Sequence, residues 1–473
     1  MSPLNTEMAG NIAVLAARRE RLAIVSTFDK LCGIAAYTHA LERQLADVFD
    51  VTIFDLDQDL LRSRHRGVRR LADRHIRDIC AAIGSFDAVN IQFEYGTLGR
   101  RAKDIVRRFR WLVTAAPRLS VTFHTFNRPA GPQVLDLLST LLQGKVRHAV
   151  EAIAAWRRNR ILSLRVTSAL RRAQARKIVA AIVHTRRDAF EARHLNRLDR
   201  VIDHPLAFLS AAEADAIARR TTRRQFPLLD DLPSEAKLVG VFGFISDYKG
   251  FGTVIRALHH LPESYHLLIF GGTHPNEIQP HRAIHPNIAS LLRDGHVDAT
   301  LYEQILTNSG PPRIGLALDA ERQLSDLLSI HPRDLSNRIH FMGAPDDDEF
   351  LGGMAICDVA VFPYLEVGQS SSGPISQALE LGCRVVASRT RTFLQLAKYH
   401  PNRIEFFDIG NHLELAGRIA SRPQYAERTA PRYNVETNKL VYLTANSAIP
   451  NATSWRPSRR QAAKPRRSAT RPD

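Results

Sequence analysis

The sequence predicts an α/β protein made of two Rossmann-like, doubly wound parallel-sheet domains that face each other across a cleft. Three observations carry this expectation. The chain has 473 residues, too many for one hydrophobic core and enough for two or three domains. Short apolar runs rich in β-branched residues recur along it, each followed by a small or polar turn and then a helical stretch. That is the pattern of parallel strands buried on both faces. The pattern restarts once, after Asp230-Asp-Leu-Pro-Ser234, as a second domain would.

A polar leader (1–19) is expected ahead of the first domain (20–225). Arg21–Thr27 reads as the first strand, and Cys32-Gly33-Ile34 opens a helix with Leu41, Leu45 and Val48 on one face. A glycine at such a turn lets a ligand approach the backbone, although a tight turn without a ligand reads the same way. Val51–Phe54, Asp87–Gln92, Leu119–Phe123 and Ile178–Val183 read as further strands. The last three end respectively before Phe93-Glu94, His124-Thr125 and His184-Thr185. Ligands of such sheets bind beyond the carboxyl ends of the strands, so Gly33, Glu94 and His124 are expected on one wall of the crevice. A basic helical insertion is expected at about 137–177. It carries Arg157, Arg158, Arg160, Arg165, Arg171, Arg172, Arg176 and Lys177, with Val146, Val150, Ile153, Ile161 and Leu164 loosely on one face, broken by Arg157. This is either a solvated basic helix or a surface for anionic lipid.

In the second domain (235–430), Lys237–Phe242 reads as a strand followed by the turn Gly243-Phe-Ile-Ser-Asp-Tyr-Lys249-Gly250 and a helix through Leu258. His266–Phe270 and Ile339–Phe341 are further strands, and 274–337 is longer than a single crossover needs. Asp358–Phe362 and Arg384–Ser388 bracket the most informative stretch, Gln369-Ser-Ser-Ser-Gly-Pro-Ile-Ser-Gln377. Pro374 suits a first helical position and Gly382 a helix end. Ser370, Ser371, Ser372 and Gly373 are therefore expected at a helix N-terminus on the carboxyl end of a strand, which is a natural anion site. A closing helix is expected at 431–445, and a disordered basic tail at 446–473.

Bulk composition excludes several classes. Four cysteines (Cys32, Cys80, Cys357, Cys383) lack ligand-like spacing, which argues for a reducing cytoplasm and against structural zinc. None of the 19 histidines forms a helical metal pair with carboxylates. No run of about 18 apolar residues is long enough to span a bilayer, and no secretory signal is expected. The net charge of +17 raises nucleic acid as a partner. No recognition helix, zinc module or aromatic-lined basic strand supports it, so that partner is not expected.

Two such domains with these turns resemble the retaining glycosyltransferases of the GT-B fold, in particular the large family-4-type group that uses nucleotide sugars. The likeness covers roughly residues 20 to 445 and is strongest at Cys32-Gly33-Ile34, His124, Lys249-Gly250 and the Gln369–Gly382 loop and helix. It implies that the N-terminal half binds a glycan or lipid-linked acceptor and the C-terminal half binds a nucleotide diphosphate sugar. Lys249 would neutralise the diphosphate, Gln369 would lie near the transferred hexose and Gln377 near the ribose. His124 would contact sugar hydroxyls, with Gly33, Glu94, Gly243, Ser371, Ser372 and Gly373 around the substrates. No cofactor or metal is expected, because lysine and helix dipole hold the diphosphate.

This sequence departs from the family at three places. Phe244 stands where an arginine is usual, and Gln369 and Gln377 stand where two glutamates are usual. The expected function is therefore retaining hexose transfer in cell-surface polysaccharide synthesis, by a cytoplasmic protein peripheral on the inner membrane face. A binding or scaffold protein that has lost turnover is the alternative.

Overall fold

A computed structural model describes residues 19–29, 32–126, 146–272, 335–366, 368–423 and 432–447. In the N-terminal half the strands are β1 (Glu20–Ser26), β2 (Phe49–Asp55), β3 (Ala88–Phe93), β4 (Leu119–Phe123), β5 (Val179–Val183) and β6 (Arg200–Asp203). They form one sheet in the order β2-β1-β3-β4-β5-β6, parallel throughout. The C-terminal half has β7 (Lys237–Phe242), β8 (Tyr265–Phe270), β9 (Ile339–Gly343), β10 (Val359–Phe362), β11 (Val385–Ser388) and β12 (Ile404–Phe407). Their order is β12-β11-β10-β7-β8-β9, again parallel. The first sheet starts one strand from its edge and the second at its centre; each winds outward and then reverses, between β1 and β3 in one and between β7 and β10 in the other. The crevices at those reversals are where such sheets bind ligands.

The expected strands are all present, because β3, β4 and β5 are buried at every position and only continuous apolar runs satisfy that. β6 and β12 were not anticipated. Each has four residues and lies at a sheet edge, so neither carries a long apolar signal.

Six of the helices pack on these strands or on one another: α1 (Gly33–Leu45), α2 (Ala102–Ala115), α3 (Val146–Gln174), α4 (Phe251–Leu258), α5 (Gly373–Glu380) and α6 (Val435–Asn446). The basic stretch expected as an insertion is not one where it is described: α3 is itself the crossover helix between β4 and β5. Leu162, Val166, Ala169 and Leu170 on it are buried, and the helix lies against α2. The other face carries Val146, Val150, Ile161 and Leu164, all at least 50% exposed, with Ile153 half-buried. The expected closing helix is α6. It returns to the N-terminal half and lies on α1 and on β3 through β6.

One apolar cluster crosses between the halves, with Tyr37 and Leu41 in the same buried set as Phe208, Ile375 and Tyr442. Burying each such side chain stabilises by about 1.5–3 kcal/mol, so the halves are joined by core and not by chain alone. The leader, 274–334 and the tail beyond 447 lie outside the described residues.

Candidate active site

The turn after β7 is shaped around one lysine. Gly243 has φ +109°, and a Cβ there would stand 3.2 Å from Lys249 Nζ. The absent side chain is the room the ammonium occupies. A short 3-10 segment, Asp247–Lys249, leads to Gly250 at φ +65°, where a Cβ would meet Pro363 O at 2.1 Å. Only glycine fits that approach. Leu365 N donates to Tyr248 O at 2.7 Å and keeps the turn against the end of β10.

Lys249 is 6% exposed. Its Nζ donates to Tyr364 Oη and lies 3.9 Å from the centre of that ring. Burial, with no carboxylate beside it among the described residues, pulls the ammonium down to about 7. A cation held this way is short of a counter-charge, and an arriving anion would supply it.

Tyr364 links the lysine to the loop after β10, since its Oη lies 3.1 Å from Ser372 Oγ. Ser372 is the N-cap of α5 yet makes no side-chain capping bond. The first-turn N–H groups of Gly373 and Ile375 therefore receive no acceptor from it, and this positive end of the helix adjoins the lysine turn, where Pro374 Cγ would stand 3.7 Å from a Cβ on Gly243. Pro374 occupies the second helical position rather than the expected first, with Gly373 ahead of it.

The same loop reaches the N-terminal half. Ser371 Oγ donates to His124 O at 3.2 Å, and Phe126 N donates to Ser370 Oγ at 3.1 Å. His124 sits edge-on to Tyr37 (5.7 Å between ring centres) and beside His184 (5.4 Å). Tyr37 also meets Phe208 (5.4 Å), whose ring would stand 3.2 Å from a Cβ on Gly373. Burial holds both histidines neutral: His184 is brought down to about 4, and His124 is well below the usual range.

The structure thus brings His124, Lys249, Gly243, Ser371, Ser372 and Gly373 into one continuous wall across the two halves. Gly33 opens α1 behind Cys32 with open space around it, and Glu94 follows β3. Both lie on the expected sheet edge. Glu94 caps locally, accepting from Tyr95 N at 2.9 Å, and burial raises its carboxyl. Gln369 and Gln377 are half-buried, and neither side chain has a hydrogen-bond partner among the described residues. The nearby glutamates are engaged elsewhere. Glu366 accepts from Arg391 N at 2.8 Å, while Glu380 accepts from Phe208 N (2.9 Å) and Leu209 N (3.1 Å), with burial pushing its carboxyl up to about 8.

Sequence reasoning missed Tyr364, Tyr37, Phe208, His184 and Gln92. Gln92 had a signal. Asn90 and Gln92 on β3, and Ser120, Thr122 and His124 along β4, alternate as polar residues on one face of otherwise apolar strands. No group of three or more His, Cys, Asp or Glu among the described residues is arranged to hold a metal ion. No helix among them is long and apolar enough to cross a membrane.

No family model and no curated protein matches the chain. Solved structures do. HepE of Anabaena in complex with UDP is similar at 16% identity, covering 91% of this chain and 100% of that one, with a TM-score of 0.52. Sucrose-phosphate synthase of Thermosynechococcus elongatus is similar at 16% identity, covering 90% and 98%, with a TM-score of 0.53. A glycosyltransferase of Rickettsia africae is similar at 12% identity, covering 91% and 100%, with a TM-score of 0.52. At these identities the likeness is one of fold, and that fold is GT-B.

Proposed function

We propose that the protein transfers a hexose from a nucleotide diphosphate sugar to an acceptor hydroxyl in the cleft, with retention of configuration. The observation that carries this is Lys249 Nζ, buried without a carboxylate partner among the described residues and linked through Tyr364 to the start of α5, whose N-cap side chain makes no capping bond. Breaking the bond from the anomeric carbon to the β-phosphate oxygen puts charge on the diphosphate. A cation already in place there stabilises the transition state more than the ground state. The acceptor oxygen bonds to the same face of the anomeric carbon, and its proton passes to the leaving phosphate oxygen, so no protein nucleophile is required. That fits Gln369 where a glutamate is usual. UDP, present in the similar Anabaena structure, is the first probe to offer.

The scaffold reading draws on the same residues, because Gln369, Gln377 and Phe244 replace three charged groups of the family. The two readings separate by experiment. A panel of nucleotide sugars is screened for thermal stabilisation, and the best binder is then assayed for transfer and for slow hydrolysis. Binding with either turnover supports the enzyme. Binding with neither, together with activity gained by Gln369→Glu combined with Phe244→Arg, supports the scaffold.

The acceptor is proposed to be a glycan or lipid-linked sugar, and the site of action a membrane surface facing the cytoplasm, in polysaccharide synthesis. The exposed stripe on α3 is flanked by exposed Arg157, Arg158, Arg160, Arg165, Arg171 and Arg172. Each contributes about 1 kcal/mol near anionic headgroups. Co-sedimentation with phosphatidylglycerol vesicles, but not with phosphatidylcholine vesicles, is the expected result. Equal recovery in the supernatant with both rejects it.

A further inference from the structure

The hydrogen bonds behind His124 run in one direction. They start at Tyr442 O in α6, a backbone carbonyl that can only accept. Asn446 Nδ2 donates to it at 2.8 Å, which leaves Asn446 Oδ1 to take the hydroxyl proton of Ser120 at 2.8 Å. Ser120 Oγ accepts from Asn90 Nδ2 at 2.7 Å. Asn90 Oδ1 accepts from Gln92 Nε2 at 2.6 Å, and this turns Gln92 Oε1 toward His124 Nε2 at 2.9 Å. An amide oxygen has no hydrogen to give. His124 therefore carries its hydrogen on Nε2 and leaves Nδ1 bare.

The chain resists reversal. Asn90, Gln92 and Ser120 are fully buried and Asn446 is 1% exposed. Turning the Gln92 amide over would set its oxygen against Asn90 Oδ1, two acceptors facing each other at fully buried positions. Gln92 Nε2 also donates to Tyr442 Oη at 3.2 Å and Thr122 Oγ1 at 3.3 Å, three acceptors sharing its two hydrogens.

The two rings beside His124 offer Nδ1 no proton. Tyr37 Oη donates to Asn438 Oδ1 at 3.3 Å. His184 Nδ1 lies 3.0 Å from His204 O, a carbonyl, so the hydrogen of His184 is spent there and its Nε2 is bare and unpartnered. Among the described residues no hydrogen bond is donated to His124 Nδ1, so a donor has to come from outside them. A hydroxyl is the neutral group that fits a neutral acceptor on an apolar, aromatic wall.

We propose that Gln92 is a positioning residue that fixes His124 as the Nε2–H tautomer, so that Nδ1 accepts a hydrogen bond from a sugar hydroxyl in the cleft. This rests on the transferase reading and adds to it a residue that touches no substrate. Among the described residues, the titratable groups facing His124 are Tyr37 from α1 and His184 beyond β5. Gln92 from β3 and Ser371 from the other half bring no charge.

The test has two arms. In the first, the full chain labelled with ¹⁵N-histidine is examined without ligand, with His124 identified as the signals missing from His124→Asn. Nε2 protonated and Nδ1 bare is the expected pattern. A hydrogen on Nδ1 near neutral pH overturns the proposal whatever the protein's activity. In the second, Gln92→Met removes the hydrogen bond at similar length, and Gln92→Glu substitutes a carboxylate. The Met variant should bind nucleotide sugar within about twofold of the parent while kcat falls roughly ten- to hundredfold. The Glu variant should favour the imidazolium, so its activity recovers at high pH and is lost as pH falls, unlike the parent's. If both variants lose only melting temperature and keep the parent's pH profile, Gln92 is structural and the proposal fails. If the parent neither binds nor turns over any nucleotide sugar, the transferase reading fails and the spectra still decide the tautomer.

Discussion

If Lys249 meets the donor diphosphate as proposed, donor binding is a proton-coupled event. With its ammonium held near 7, about half the empty protein carries the charge at pH 7 and roughly one part in a hundred at pH 9. A bound diphosphate restores the usual lysine range, because an opposite charge beside it favours the cation. Affinity for a nucleotide sugar, whose diphosphate does not itself titrate above neutrality, should then fall about fiftyfold from pH 7 to pH 9. Calorimetry at pH 8 in two buffers of different ionisation enthalpy should show uptake of about 0.9 proton per ligand. Lys249→Met should abolish the uptake and weaken binding at pH 7 by about 1.5–3 kcal/mol, or roughly ten- to hundredfold. Folding is linked with a definite sign. The folded value lies below the ordinary 10.5, so the unfolded chain binds the extra proton between those limits, and the lysine's cost to stability shrinks as pH rises through that window. Equal affinity at pH 7 and pH 9 in the parent, with no proton uptake, would refute the reasoning.

The two loop glutamines should divide by role. Gln369→Ala should lower kcat by roughly ten- to hundredfold, while Gln377→Ala should chiefly weaken donor binding, as steady-state kinetics and calorimetry would show. Glu380→Gln sets an NH₂ against the N–H of Phe208 or Leu209 and should cost about 1–3 kcal/mol in denaturant unfolding. A change within error would mean those two bonds tie nothing. Removing residues 452–473 should leave the melting temperature unchanged within about 1 °C while weakening vesicle binding, because that composition buries little. A large drop in melting temperature would contradict it.

The fold was legible because parallel strands buried on both faces need continuous apolar runs, and β1, β3, β4, β5, β7 and β10 have them. The short edges β6 and β12 do not, and they escaped. Lys249 and Ser371–Gly373 were legible as turns at strand ends. Their convergence follows from the reversal between β7 and β10, which a linear reading of the motifs does not measure. Tyr364 was missed because a tyrosine after Pro363 reads as core until Lys249 Nζ is found on it. Gln92 was missed because a polar residue inside a strand was read for its position and not for its face. Glu380 gave no signal of its own, because a glutamate near the end of a short helix reads as an ordinary surface residue. It lies at the far end of α5 from Gly373, and its two bonds to Phe208 and Leu209 tie that end to the N-terminal half.

The most direct test of the central claim is a crystal structure of the full chain with a nucleoside diphosphate bound. The account predicts the diphosphate oxygens within hydrogen-bond reach of Lys249 Nζ and Gly373 N–H. Diphosphate bound elsewhere, with Lys249 still resting on Tyr364, would contradict it.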